Sequence, residues 1–127
     1  MRFRNFALVM AALGVAVASP ALAHPRLVAA TPAANATVSP TRTVTLIFSE
    51  RLTPRLSSAT LVMTGMPGMA NHPDMPMQGV TSAVSRDGKG LVLTSAKPIP
   101  AGSYRIDWVI VGADTHRITG THAFSIR

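Results

Sequence analysis

The chain has 127 residues, with 12 lysines and arginines against 5 aspartates and glutamates, four histidines and no cysteine, for a formal charge of +7. That length suits one domain around one core. The basic residues are scattered singly with almost no aromatics among them, which speaks against a nucleic-acid face and for ordinary solvated charge, and without cysteine there can be no disulfide and any soft metal ligand must be methionine.

The opening stretch, MRFRNFALVMAALGVAVASPALA, sets Arg2 and Arg4 before an apolar run from Phe6 to Val17 and closes on Ala21-Leu22-Ala23. These are the parts of a cleavable secretory signal peptide with an A-x-A site. The apolar run falls short of the about 20 residues a membrane span needs, and no later segment is long and apolar enough. The chain therefore divides into residues 1–23, a leader that is removed, and residues 24–127, one exported domain that does not insert into a membrane. Taking 23 residues from the 127 leaves 104 beginning at His24, and the loss of Arg2 and Arg4 brings the charge from +7 to +5.

From there on, apolar and polar residues alternate in short runs with a period of two, and no amphipathic helix interrupts them. RLVAAT from 26, TVTLIFSE from 43, SATLVMT from 58, VTSAVS from 80, GLVLTS from 90, SYRIDWVIV from 103 and THAFSIR from 121 all read as strands. Val44, Leu46 and Phe48 share one face of the second, and Tyr104, Ile106, Trp108 and Ile110 share one face of the sixth. Asp87-Gly88 marks a hairpin between two of the runs. About seven short strands with no repeat and no linker predict an all-β fold, a small antiparallel sandwich.

One segment breaks the alternation. In MTGMPGMANHPDMPMQ, positions 63 to 78, each apolar run ends at a glycine or proline, so the segment reads as a loop. All five methionines after residue 23 fall here, Met63, Met66, Met69, Met75 and Met77, with His72 among them. A core that used methionine as filler would scatter it among the strands. By strand parity Met63 pairs with Leu61 and can turn inward. An exposed methionine cluster can also scavenge oxidants or grip an apolar partner, but neither task calls for a histidine. Thioethers are soft, uncharged ligands suited to Cu(I), which points to a Cu(I) site.

A second set of donors forms only after processing. Cleavage after Ala23 gives His24 a free α-amino group beside its imidazole, and Pro25 has no N–H through which the next amide could be recruited. Further donors must come from elsewhere, and ADTHRITG offers Asp114 and His116, two apart and so pointing the same way in extended chain. Nitrogen and oxygen donors in a tetragonal plane suit Cu(II). A solvated turn is the competing reading of the D-x-H pair. Glu50, at a strand end, is either a further ligand or a cap charge. His122 has the parity of Phe124 and Ile126 and reads as an inward, hydrogen-bonded histidine.

With these residues in view the sequence resembles the CopC/PcoC periplasmic copper-binding proteins of bacterial copper resistance. The resemblance runs from the leading HPRL through TPAANATVSP, VTLIFSERL, the methionine segment and AGSYRIDWVIVGADTHRITG to the closing FSI. It implies a Greek-key β-sandwich, immunoglobulin-like or cupredoxin-like, with a Cu(II) and a Cu(I) site at opposite ends. His24, Asp114 and His116 match the Cu(II) ligands, with Glu50 as a nearby acid. Met63, Met66, Met69, His72 and Met75 lie where the Cu(I) ligands lie, and Met77 leaves the choice of sulfurs open. His122 stands where the family tends to place an aromatic.

The function expected is that of a periplasmic copper carrier rather than an enzyme, handing copper to a CopD-type inner-membrane transporter or another resistance protein. Two alternatives stay open. An amino-terminal histidine chelate resembles the copper centre of polysaccharide monooxygenases, although one tryptophan and one tyrosine leave little aromatic surface for a polymer. A copper donor for cytochrome oxidase assembly would use similar ligands.

Overall fold

The computed structural model describes residues 14–16, 24–69 and 72–127. The predicted leader, 1–23, lies outside the described residues except for 14–16. Nine strands follow one another: β1 (Leu27–Thr31), β2 (Thr37–Val38), β3 (Thr43–Phe48), β4 (Ser58–Gly65), β5 (Met75–Pro76), β6 (Val80–Val84), β7 (Gly90–Ser95), β8 (Gly102–Val111) and β9 (Arg117–Ile126), with one 3-10 turn at Pro54–Leu56. No helix among the described residues is long and apolar enough to cross a membrane.

The strands form two sheets, one ordered β1-β3-β7-β6 and the other β2-β9-β8-β4-β5. The chain passes repeatedly from one sheet to the other, in the Greek-key manner expected of a β-sandwich. Alternation builds the space between the sheets. Val44, Leu46, Phe48, Leu91 and Leu93 project from the first sheet against Leu61, Tyr104, Ile106, Trp108, Ile110, Phe124 and Ile126 of the second, all buried. Where the faces meet, Phe48 stands edge-on to Trp108 at 5.1 Å between ring centroids. The indole lies over Gly120, opposite it on β9; a Cβ there would come within 2.1 Å of Trp108 Cζ2. Residue 120 must be glycine for the ring to lie flat.

Two buried polar groups find partners. The Tyr104 hydroxyl donates to the Pro100 carbonyl at 2.6 Å, and burial pushes its pKa from 10.0 up to about 12. His122 is buried, and its Nε2–H donates to the Pro32 carbonyl at 2.9 Å. Because that carbonyl can only accept, the contact fixes the proton on Nε2, and the histidine is satisfied inside the sandwich as its parity predicts.

The structure corrects two expectations. Among the described residues there are nine strands, the seven expected and two more, because β2 and β5 have two residues each, too few to carry an alternating pattern. They exist through pairing, β2 parallel to β9 and β5 antiparallel to β4. The methionine segment is also not wholly a loop. Met63 to Gly65 continue β4, and Met75 sits in β5 directly opposite Met63.

Candidate metal centres

The first site is made where β8 turns into β9. These strands pair without interruption from Gly102↔Ile126 to Val111↔Arg117, which holds residues 112–116 out as a tight connection. The Thr115 N–H donates to the Gly112 carbonyl at 3.0 Å, and Thr115 takes a φ of 69°, a left-handed conformation that costs a β-branched residue about 1–3 kcal/mol. The Asp114 side chain supports this turn. Its Oδ1 accepts from the His116 backbone N–H at 3.2 Å, and its Oδ2 lies 3.2 Å from His116 Nδ1.

His24 reaches the turn from the far end of the sequence. Pro25 is buried against Gly112, where an added Cβ would meet the proline Cγ at 2.7 Å and Cδ at 2.9 Å. Behind it, Arg26 and Ser49 exchange two hydrogen bonds, Arg26 N–H to Ser49 Oγ at 3.0 Å and Ser49 N–H to the Arg26 carbonyl at 2.9 Å. So docked, His24 contacts Asp114 Oδ2 through Nδ1. The two imidazoles stand edge to face, 5.0 Å between centroids. One donor atom from each of His24, Asp114 and His116 lies within 4.8 Å of the others.

Burial pushes the Asp114 carboxyl up, but hydrogen bonds from the His116 side chain and backbone and from His24, with the charge of His24, outweigh it and hold it below the usual carboxylate range. The carboxylate is therefore ionised, with two imidazoles that are mostly exposed. Two nitrogens and an anionic oxygen converging from the rim of a sandwich can hold a divalent ion of borderline or nitrogen-loving character. Glu50, half-buried two residues past β3, does not join this group.

The second set of donors lies at the opposite end of β8. β4 pairs with β8 from Ser58↔Val109 to Gly65↔Ser103, so the methionine segment leaves the sheet beside the start of β8. Met66-Pro67-Gly68-Met69 makes a turn with Gly68 at φ 77°, closed by the Met69 N–H donating to the Met66 carbonyl at 2.9 Å. Proline second and a left-handed glycine third are what such a turn requires. On the return, Asp74 accepts from Arg105 Nη1 at 2.8 Å, while Arg105 Nε binds Asp107 at 2.6 Å. Hydrogen bonds to both acids raise the arginine pKa further.

The structure sorts the candidates here. Met66, Met69 and Met75 are exposed, at 43%, 54% and 45%, whereas Met63 is buried in the core and Met77 is half-buried against it. His72 is half-buried, and its Nδ1 is out of contact with solvent and has no hydrogen-bond partner among the described residues. With β8 ten residues long, the two sets are separated by about 30 Å of extended strand.

The CopC domain family matches residues 27–127. The chain belongs to the CopC domain family. Among curated relatives, copper resistance protein C of Xanthomonas campestris pv. juglandis is 46% identical over 98% of each chain. Copper resistance protein C of Escherichia coli is 41% identical over the whole of both. The crystal structure of PcoC, described as a methionine-rich copper resistance protein from Escherichia coli, superposes with a TM-score of 0.75 at 41% identity, covering 83% of this chain and all of that one.

Within this CopC domain, sequence reasoning picked out the residues that bear donor atoms but missed those that position them. Gly112 offers no chemistry, and its only local sign is that a glycine just before Ala-Asp-Thr-His is a turn signal. The residue type of Pro25 shows its missing N–H but not its packing against Gly112. Arg105 and Asp74 lie 31 positions apart, and no local pattern links them.

Proposed function

We propose that this CopC-domain protein is a copper-binding copper resistance protein of the periplasm. In this reading Cu(II) is held by His24, Asp114 and His116, with the α-amino group of His24 joining once residues 1–23 are removed. Cu(I) is held by the thioethers of Met66, Met69 and Met75 together with His72. The observation that carries the reading is the convergence of three donor atoms within 4.8 Å from positions 24, 114 and 116. Imidazole, amine and carboxylate form the donor set that Cu(II) prefers, and thioethers the set that Cu(I) prefers. The Nδ1 of His72, which has no hydrogen-bond partner among the described residues, supplies a vacant donor in the same segment as the exposed sulfurs. Met63 serves the core, Met77 is a reserve ligand, and Glu50 stays outside the set. The two relatives from Xanthomonas campestris pv. juglandis and Escherichia coli are named for copper resistance and not for a reaction, which supports a carrier over an enzyme; the CopD-type transporter is the acceptor this reading favours.

Copper titration of the mature protein in each oxidation state is the direct test. One residue added before His24 should weaken Cu(II) strongly and leave Cu(I) unchanged, and acid should release Cu(II) as protons take the nitrogen lone pairs. Replacing Met66, Met69 and Met75 together by leucine keeps apolar bulk and removes sulfur. That variant should retain a tetragonal Cu(II) spectrum and surrender Cu(I) to a chelator at levels the parent withstands. Equal Cu(I) retention by both proteins would refute the methionine site.

A further inference from the structure

The basic residues that are scattered along the sequence are gathered in space. Register places the segments 24–26, 49–57, 85–89 and 112–117 at one end of the sandwich, since Leu27 faces Phe48, Ile47 faces Gly90, Ser58 faces Val109 and Val111 faces Arg117. This is the end that carries His24, Asp114 and His116. Six exposed cations stand on it, Arg26, Arg51, Arg55, Arg86, Lys89 and Arg117, and none forms an ion pair among the described residues; the arginine that does, Arg105, lies elsewhere. Two of the three acids at this end are held in local hydrogen bonds and keep their negative charge. Asp87 is bound by the Ser85 hydroxyl at 2.5 Å and the Lys89 N–H at 3.0 Å, and Asp114 is bound by the histidines. With Glu50, Asp87 and Asp114 set against the six cations, 6 − 3 leaves this end a net charge of +3.

The segments that carry these charges are fixed to one another. The Leu52 N–H donates to the Gly88 carbonyl at 2.7 Å and the Thr53 N–H to the Val111 carbonyl at 2.7 Å, while the Arg51 side chain lies across Gly88. Beside Arg55, Leu56 is exposed at 59% and offers an apolar contact within the basic rim. Positive charge at this end repels an approaching metal ion. It therefore works against metal capture and fits a different task.

We propose that this end is a docking face for a protein partner with an acidic surface, which is steered on by charge and seated around Leu56. Complementary charge raises the encounter rate and fixes orientation, and here it would present the His24–Asp114–His116 cluster to the partner. The proposal draws on the copper reading only for what the contact delivers; the docking itself needs no metal.

The test uses metal-free protein, so its failure is separate from failure of the copper reading. A deca-glutamate peptide is titrated in while backbone amide shifts are followed, and vesicles rich in phosphatidylglycerol are assayed in parallel. The peptide should shift amides in the four segments, and its affinity should fall about tenfold from low to physiological salt, where the screening length is about 8 Å. Replacing Arg51, Arg55 and Arg117 by glutamine should weaken the peptide by about tenfold at low salt. The charge-matched control, Arg42, Lys97 and Arg127 to glutamine at the other end, should leave it within about twofold. Equal loss in both variants, shifts spread over both ends, no peptide binding at all, or vesicle binding through this face without peptide binding would each overturn the proposal. All six substitutions are at the surface, and circular dichroism checks that both variants fold.

Discussion

At the scale of single residues, Asp114 does two jobs, stabilising the turn from Gly112 to His116 and drawing His24 onto it. The pattern Asp-x-His was legible because donor chemistry can be read from residue type. Gly112 was illegible, because its contribution is the absence of a Cβ against a proline 87 positions away in the same sequence. Gly112→Ala should push Pro25 off its seat and His24 with it. We expect Cu(II) affinity to fall about ten- to a hundredfold, the range typical of losing a ligand's support, with the fold and Cu(I) binding retained. Titration of the variant beside the parent measures this. Tyr104 gives a second residue-scale prediction. A phenol held neutral in the fold contributes stability that is complete below pH 10 and is lost as pH rises toward the folded value of about 12. The chain has one tyrosine, so the ultraviolet absorbance of tyrosinate reports on it alone. It should emerge near pH 12 together with unfolding; emergence near pH 10 from a folded protein would show that the hydroxyl is not held.

At the scale of elements, the longer strands other than β1 could be read from period-two alternation because each lays one face on a shared core, whereas β1 loses the alternation at its register shift between Leu27 and Ala29. Alternation failed where a strand lives by pairing alone, as in β2 and β5, and where a second surface is covered. Val62 is an example, buried on β4 although parity turns it outward, with Pro76 of β5 beside it. The β8–β9 hairpin depends on one glycine more than its length suggests. Gly120→Ala should drive the indole of Trp108 away from Phe48 and destabilise the fold by about 1–3 kcal/mol, the usual cost of overfilling a packed site. Chemical denaturation followed by the fluorescence of this lone tryptophan would show it, and an unchanged midpoint would mean that the ring has room to move. On β8, Arg105→Ala should release Asp74 and loosen the return of the methionine segment. Faster amide exchange across residues 72–77 with an unchanged core is the expected sign.

At the scale of the whole molecule, the two sets of donors sit at opposite ends of one strand and share no side chain. Effects of substitutions so far apart add. Asp114→Asn should therefore leave Cu(I) affinity unchanged, and the triple methionine variant should leave Cu(II) affinity unchanged; a shift in either would reveal coupling through β8. The gathering of six cations at one end was invisible in the sequence, because the register that unites the four segments is a property of the closed sandwich.

The contact between His122 and Pro32 spans 90 positions, and it has company. Asn35 donates to Ala123, Ser125 to Ala36 and Arg127 to Val38, so the stretch from 32 to 38 finds its backbone partners on β9. A chain emerging with its amino end first thus exposes a segment that must wait for the final strand. Folding should be late and slow, on the millisecond-to-second scale of strand-rich domains with distant pairings, and the candidate ligands His24, Asp114 and His116 are brought together by that same delayed closure. An ion that needs all three can be captured only after the last hairpin has formed, so in the proposed function copper loading would report that folding is complete.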